Sequence, residues 1–190
     1  MFDRDKLDQV LEEIKNLENS YASHISAGDD LLAKKDYQGA LTEFRQASTL
    51  KPEEVYPKSK ISEAEAALAA VQARQKAYND AIAKADGLFN SEEYDKAKLA
   101  YQEALTHDPG QSYPQDQIGR INELLKDLEL HKSFGAAVAK ADQFFDAEDF
   151  DNARTEYQKA INLIPSETYP QKRIEEINST CLRLSTKVMK

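Results

Sequence analysis

The stretch YDKAKLAYQEALTHDP, residues 94–109, decides the fold of this 190-residue chain. Ala97, Tyr101 and Ala104 follow one another at intervals of four and three, so all three lie on one face of an α-helix. Two small residues beside an aromatic residue allow a second helix to approach closely. Pro109 ends the helix because it has no N–H to donate and disfavours helical backbone in the residue before it. The stretch therefore predicts a short helix packed tightly against a neighbour.

The same pattern occurs twice more, as YQGALTEFRQASTLKP over residues 37–52 and as FDNARTEYQKAINLIP over residues 150–165. Equivalent positions in the three copies lie 57 and then 56 residues apart. A first helix precedes the second copy, since residues 78–89 carry apolar side chains at helical spacing and a polar turn, residues 90–93, follows them. Each copy therefore predicts an antiparallel helical hairpin, and the fixed period predicts a repeat protein.

The segments between the hairpins are also helical in pattern. Each of them, and the N-terminal segment, carries a stripe of apolar residues at 3-4-3 spacing that requires a helical partner. The four stripes are Leu7, Val10, Ile14 and Leu17; Ile61, Ala64, Leu68 and Val71; Ile118, Ile121, Leu125 and Leu128; and Ile174, Ile177, Cys181 and Leu184. No proline separates a stripe from the following hairpin. We therefore expect one long helix from about Pro57 to Phe89 and another from about Pro114 to Phe145.

These features together resemble the tetratricopeptide repeat, whose units are helical hairpins with a small residue in the first helix and the A-x-x-x-[FY]-x-x-A pattern in the second. The small residue stands at Gly28, Ala85 and Ala141. The resemblance covers roughly 34 residues of each unit, the length of a standard repeat, and each unit departs from the family by an extra segment of about 22 residues. It implies an all-α fold of helical-hairpin repeats, an α–α superhelix with alternating long and short antiparallel helices.

The period also predicts the organisation of the chain, which we expect to be a single helical repeat domain over residues 1–190. Residues 1–20 form an N-terminal helix of the insert type, and the repeats occupy residues 21–77, 78–133 and 134–190. Because the chain starts and stops with an insert-type segment, we expect it to be excised from a longer array.

One set of residues recurs at positions that face the concave ligand groove in the tetratricopeptide family. It consists of an aspartate and an apolar residue three positions later. The members are Asp29, Asp86, Asp142, Leu32, Phe89 and Phe145. The resemblance implies a groove of carboxylates flanked by apolar ridges, which suits a basic or amphipathic helix or an extended peptide. The alternative is that the inserted helices cover this face and each aspartate serves the local structure.

Composition limits the partners and the compartment. A formal net charge of −9 leaves no basic face for the phosphates of a nucleic acid. No run of 18 apolar residues is present, so we expect no direct insertion into a membrane. The charged N-terminal segment lacks the apolar core of a signal peptide, and the compartment stays open between cytoplasm and periplasm.

Reactive constellations are missing from the sequence. His24, His107 and His131 occupy unrelated repeat positions, whereas a metal site needs three or four converging ligands. Cys181 takes a stripe position and is expected to be a buried structural thiol. No glycine-rich phosphate loop, nucleophile elbow or zinc-helix motif occurs. We therefore expect no enzyme activity, no metal and no cofactor.

Two functions fit this description. The first is a non-catalytic scaffold that binds a peptide or the surface of a partner protein. The second is a structural spacer or self-associating helical module within a larger envelope protein, in which the 3-4-3 stripes pack against copies of themselves. A dilution series separates the two, because only the second predicts an oligomer that depends on concentration.

Overall fold

The computed structural model describes the backbone of residues 4–188 and the side chains of residues 4–183. Within that range the chain is all-helical. The helices are α1 (Arg4–Ala33), α2 (Tyr37–Leu50), α3 (Val55–Asn90), α4 (Tyr94–His107), α5 (Ser112–Asp146), α6 (Phe150–Leu163) and α7 (Tyr169–Val188). The side chain of Leu184, the last member of the predicted stripes, and the outermost residues of the 1–20 and 134–190 segments lie outside the described residues.

Long and short helices alternate as the sequence predicts. The two central long helices, α3 and α5, have 36 and 35 residues, and each continues without a break from an insert segment into the first helix of the next hairpin. The short helices α2, α4 and α6 have 14 residues each. The all-α, helical-repeat fold class is therefore confirmed. None of the helices over residues 4–188 is long and apolar enough to cross a membrane.

The chain divides into two compact units. The first takes Met1–Ala83 with Glu103–Gly110, and the second takes Lys84–Gln102 with Gln111–Lys190. In the first unit Gly28 of α1 lies directly under the ring of Phe44 of α2. Nearer the other end of α1, Glu18 accepts a hydrogen bond of 3.0 Å from Lys51. Later residues of α1 thus meet earlier residues of α2, so the two helices run in opposite directions.

The second unit has its core between α5, α6 and α7. The buried centre consists of Ala141, Ala153, Tyr157 and Ile177. Partly buried side chains packed around it are Phe144, Phe145, Phe150, Ile174 and Cys181. Cys181 belongs to the apolar packing between helices, but it is half-buried, whereas its stripe position predicts a buried thiol.

The small-aromatic-small face of the short helices forms the interior. Every alanine and aromatic residue of the A-x-x-x-[FY]-x-x-A pattern is at most 1% exposed in all three copies. Gly28, Ala85 and Ala141, the small residues of the first helices, are buried as well. The pattern therefore marks the contact between the two helices of a hairpin, since a larger side chain at these positions leaves no room for the facing helix.

The hairpin turns share one backbone geometry. Lys35, Glu92 and Glu148 stand at equivalent positions and have φ angles of 63°, 60° and 58°. In each turn two backbone N–H groups donate to carbonyls of the helix before it, as Lys35 does to Leu32 and Asp36 to Leu31. This is a Schellman ending with a non-glycine residue in the left-handed region. It fixes where the short helix starts relative to the long one.

Candidate functional site

The three recurring aspartates lie near the C-terminal ends of α1, α3 and α5. Each accepts a hydrogen bond from a tyrosine hydroxyl at the start of the next long helix. Tyr56 donates to both oxygens of Asp29 at 2.9 and 3.0 Å. The equivalent bonds join Tyr113 to Asp86 Oδ1 and Tyr169 to Asp142 Oδ1, both at 2.8 Å. The same contact in all three repeats identifies it as a property of the repeat.

A second tyrosine completes the contact in the later two repeats. Tyr101 of α4 donates to Asp86 Oδ1 at 2.6 Å, and Tyr157 of α6 donates to Asp142 Oδ1. We call this arrangement, an aspartate whose Oδ1 accepts two tyrosine hydroxyls, the tyrosine clamp. Phe44 stands at the equivalent position of the first repeat and has no hydroxyl, so Asp29 has only one tyrosine partner.

The clamp leaves half of each carboxylate unused. In Asp86 and Asp142 both hydroxyls bind Oδ1, and Oδ2 accepts no hydrogen bond from the residues that the structure describes. A carboxylate has room for about four hydrogen bonds. The tyrosines therefore fix the orientation of the group and leave acceptor capacity for another donor.

The clamping hydroxyls are held in their protonated, donating form. Burial raises the pKa of Tyr101 above its ordinary value of 10.0, and the hydrogen bond to Asp86 raises it further. Burial and the hydrogen bond to Asp142 raise the pKa of Tyr157 and of Tyr169 in the same way. A phenolate next to a carboxylate is unfavourable because two like charges would lie within hydrogen-bonding distance. The clamp therefore persists across physiological pH.

The apolar members of the predicted set are half-buried, and arginines lie over two of them. The guanidinium of Arg120 lies 4.9 Å from the ring centre of Phe89, and that of Arg173 lies 3.6 Å from the ring centre of Phe145. Leu32, the third member, is also half-buried. The predicted apolar ridges therefore carry positive charge in the second and third repeats, and each cation comes from the next long helix.

A surface pocket of about 250 Å³ in the second unit brings these groups together. Its lining residues are Asp86, Phe89, Asn90, Tyr101, Tyr113, Gln117 and Arg120. Two of them, Asp86 and Phe89, belong to the set predicted from the sequence. The pocket thus offers a fixed carboxylate, an aromatic ring and a guanidinium at one place on the surface.

Sequence reasoning missed the tyrosine partners and the arginines. Tyr56, Tyr113 and Tyr169 recur at one position of the repeat, and that recurrence is the signal in the sequence that could have identified them. The arginines gave a weaker signal, since Arg120 and Arg173 stand at different positions of their repeats. The first turn of each insert supplies a tyrosine at this face, and the pocket beside Asp86 lies at the surface.

Two of the three histidines contact other residues of the chain. His24 Nδ1 lies 2.7 Å from Glu43 Oε2 on α2, and His131 Nδ1 lies 3.0 Å from the carbonyl oxygen of Asp127 one turn earlier. In the part of the chain that the structure describes, no group of three or more histidine, cysteine, aspartate and glutamate side chains converges as a metal site would. The described surface therefore offers binding groups and no metal-ligand cluster.

Comparison with known proteins identifies no family for the chain. No protein-family model matches it, and no curated protein matches it. Among solved structures the chain is similar to a thermophilic TPR protein of Thermus thermophilus, with 16% sequence identity. The alignment covers 83% of this chain and 98% of that one, with a TM-score of 0.26.

Proposed function

We propose that this chain is a non-catalytic scaffold that binds a peptide or a partner protein, and that its hairpins are tetratricopeptide-like units lengthened by an inserted helix. The three repeats of this proposal occupy residues 21–77, 78–133 and 134–190, and residues 1–20 form an insert-type helix before them. The observation that carries the functional part is the tyrosine clamp, which holds the carboxylate of Asp86 beside a surface pocket while one of its oxygens accepts no hydrogen bond from the described residues.

The chemistry of the pocket defines the partner. A lysine or arginine of the partner gains a charge-assisted hydrogen bond to Asp86 Oδ2, and the tyrosines have already fixed the orientation of that carboxylate. An apolar partner side chain packs on Phe89, and Arg120 pairs with an acidic or carbonyl group. The partner is therefore a basic or amphipathic helix or an extended peptide. Asp142 and Phe145 form the corresponding contacts in the third repeat, and Asp29 and Leu32 form a weaker version in the first.

The test is a selection of peptides followed by removal of the charge. A displayed library of random peptides about 14 residues long, the length scale of one helical groove ligand, is selected on the wild-type chain. The affinity of the enriched peptides is then measured for the wild type and for the Asp86→Asn/Asp142→Asn double variant. Asparagine retains a carbonyl oxygen for the two tyrosine hydroxyls, so this variant keeps the fold and loses only the charge.

The scaffold proposal predicts enriched peptides that combine basic and apolar residues and bind the double variant at least about tenfold more weakly, because an ion pair in a partly buried site contributes roughly 1.4 kcal/mol or more. The matched control is Asp127→Asn. The carboxylate of Asp127 lies on α5 and is 64% exposed, so its replacement should leave peptide binding unchanged. The proposal would be overturned if the selection enriched no peptide. It would also be overturned if the enriched peptides bound the wild type and the double variant with equal affinity.

The self-associating or spacer function remains the second candidate because of one observation. Leu7, Leu11 and Ile14 on the first half of α1 are 55%, 54% and 51% exposed, and such a stripe marks an interface in a folded chain. Two copies pairing through this stripe would form a dimer that dissociates on dilution. The scaffold proposal predicts a monomer at every concentration.

A further inference from the structure

The first half of α1 presents an apolar face without cover from the described residues of this chain. Leu7, Val10, Leu11, Ile14 and Leu17 follow one another at helical spacing, and each is between 40% and 55% exposed. The second half of the same helix packs against α2, where Gly28 lies under the ring of Phe44. The uncovered face is therefore confined to the segment that precedes the first hairpin.

The repeats show what covers the Leu7 end of this face elsewhere, whereas Val71 and Leu128, the equivalents of Ile14, are themselves 39% and 53% exposed. Leu7 is equivalent to Ala64 of α3, Ile121 of α5 and Ile177 of α7, and all three are 0% exposed. Ile177 is buried against Ala153 and Tyr157 of α6, the short helix immediately before α7. An insert-type helix thus buries this position under the small-aromatic-small face of a short helix. In α1 the equivalent position has no such helix over it among the described residues.

Charge adds a second, independent match. In α3 the residue after Ala64 is Glu65, which accepts a hydrogen bond of 2.8 Å from Arg45 of α2. In α5 and α7 the equivalent residue is an asparagine that accepts a hydrogen bond from a cation of the preceding short helix. Lys98 donates to Asn122 at 2.6 Å, and Arg154 donates to Asn178 at 3.0 Å. The equivalent residue in α1 is Asp8, which is exposed. Asp8 is thus an exposed acceptor at the position where its three equivalents bind a basic residue of the helix that covers them.

We propose that the α1 face, defined by Leu7, Val10, Leu11, Ile14 and Leu17 with Asp8 beside them, docks an amphipathic helix of a partner protein. That helix presents two small residues and an aromatic residue in the order of the A-x-x-x-[FY]-x-x-A pattern, and it carries a lysine or arginine opposite Asp8. This surface is separate from the tyrosine clamp and goes beyond the function proposed for it.

A second copy of this chain fits the face less well than a partner helix. The chain's own short helices have their small-aromatic-small faces buried within their hairpins, where Ala40, Phe44 and Ala47 are 0% exposed. A second copy could offer such a face only by opening a hairpin. Pairing of two α1 faces would bring together two chains of formal net charge −9, which repel each other.

The probe is the α2 sequence itself, as a synthetic peptide of residues 36–51, DYQGALTEFRQASTLK. It carries the covering face and Arg45, and in the chain it lies against the segment of α3 equivalent to the α1 face. A peptide of this length is only marginally helical alone, so binding is weak and is measured by fluorescence anisotropy of a labelled peptide against the full chain.

Leu11→Asp should weaken binding at least about tenfold, as the loss of a central apolar contact does. Leu128→Asp, on α5 and 53% exposed, is the matched control and should leave it unchanged.

A charge exchange tests the register. Asp8→Arg should weaken binding of the wild-type peptide, and the peptide with Arg45→Glu should recover affinity for Asp8→Arg but not for the wild type. Equal peptide affinities for Leu11→Asp and the wild type would overturn the proposal. So would a dimer that forms on concentration and is lost in Leu11→Asp, because that outcome assigns the face to a second copy. Both substitutions are at exposed positions, and the helical circular dichroism signal confirms that the variants fold.

Discussion

At the scale of single residues, the three aspartates differ in how many hydroxyl donors they accept. Asp86 accepts hydrogen bonds from the hydroxyls of Tyr101 and Tyr113, whereas Asp29 accepts them from the hydroxyl of Tyr56 alone. Asp86→Ala leaves the buried hydroxyl of Tyr101 without its acceptor and should lower the free energy of unfolding by about 1–3 kcal/mol. Asp29→Ala strands one exposed hydroxyl that water can satisfy and should cost less than about 1 kcal/mol. Urea unfolding measures both, and equal losses would show that the second tyrosine contributes nothing.

Two glycines in helices have opposite surroundings. A Cβ added to Gly28 would lie 2.6 Å from Phe44 Cε1, while one added to Gly135 meets nothing within 4 Å. Gly135→Ala should therefore raise stability by about 0.5–1 kcal/mol through helix propensity. Gly28→Ala should lower it by about 1–2 kcal/mol, because the fully buried Phe44 ring has to shift. Thermal unfolding distinguishes the two, and a gain in both variants would contradict the close packing at Gly28.

At the scale of helices, one buried carboxylate links α5 and α6. Glu156 of α6 is 7% exposed and accepts hydrogen bonds of 2.8 Å from Lys140 of α5 and from Lys159 of its own helix. These bonds, that of Lys140 first, hold the pKa of Glu156 below its ordinary value of 4.5, although burial acts to raise it. The folded state thus binds fewer protons than the unfolded one. The resulting stabilisation is complete above the ordinary pKa and is lost as the pH falls below it.

The variant Glu156→Gln tests this pH dependence. At about pH 7 it should be less stable than the wild type by about 1–2 kcal/mol, because two charge-assisted hydrogen bonds become neutral. At about pH 3 the difference should be smaller, since protonation of Glu156 in the wild type becomes more favourable as the pH falls toward its lowered pKa. Urea unfolding at both pH values gives the comparison. A difference that does not change with pH would mean that Glu156 contributes by packing and not by charge.

The hairpin contact makes a further prediction about the helices. Ala97 is 0% exposed on the face of α4 that packs within the hairpin, whereas Leu99 two residues later is 65% exposed. Ala97→Leu should overpack the contact and destabilise the chain by about 1–3 kcal/mol. Leu99→Ala should change stability by less than about 0.5 kcal/mol. A tolerated leucine at position 97, measured by thermal unfolding, would show that the two helices do not approach as closely as the alanines require.

The sequence predicted the helices well, and particular residues show why. The recurrence of Ala97, Tyr101 and Ala104 in three copies reports a local geometry, and α4 lies where that pattern places it. The contact between Tyr113 and Asp86 spans 27 residues and two turns, so it depends on how successive helices pack and not on spacing within one helix. The same holds for Arg120 over Phe89. Spacing alone identified the aspartates of the candidate site but could not show which side chains would meet them.

At the scale of the whole molecule, we propose that this acidic chain has two surfaces for other proteins and none for a second copy of itself. The tyrosine clamp offers fixed carboxylates, and the α1 face offers an apolar stripe beside Asp8. Both suit basic partners, which the formal net charge of −9 also favours by attracting them over longer distances. The same charge opposes association between copies of the chain.

Sedimentation velocity over a dilution series shows whether copies of the chain associate. The chain is run from about 1 to about 200 µM, a range in which a dimer with a micromolar dissociation constant would form and dissociate. We expect one species at the monomer mass of 21.4 kDa throughout. A species whose mass rises toward the dimer with concentration would contradict it, and would favour the self-associating module over the scaffold.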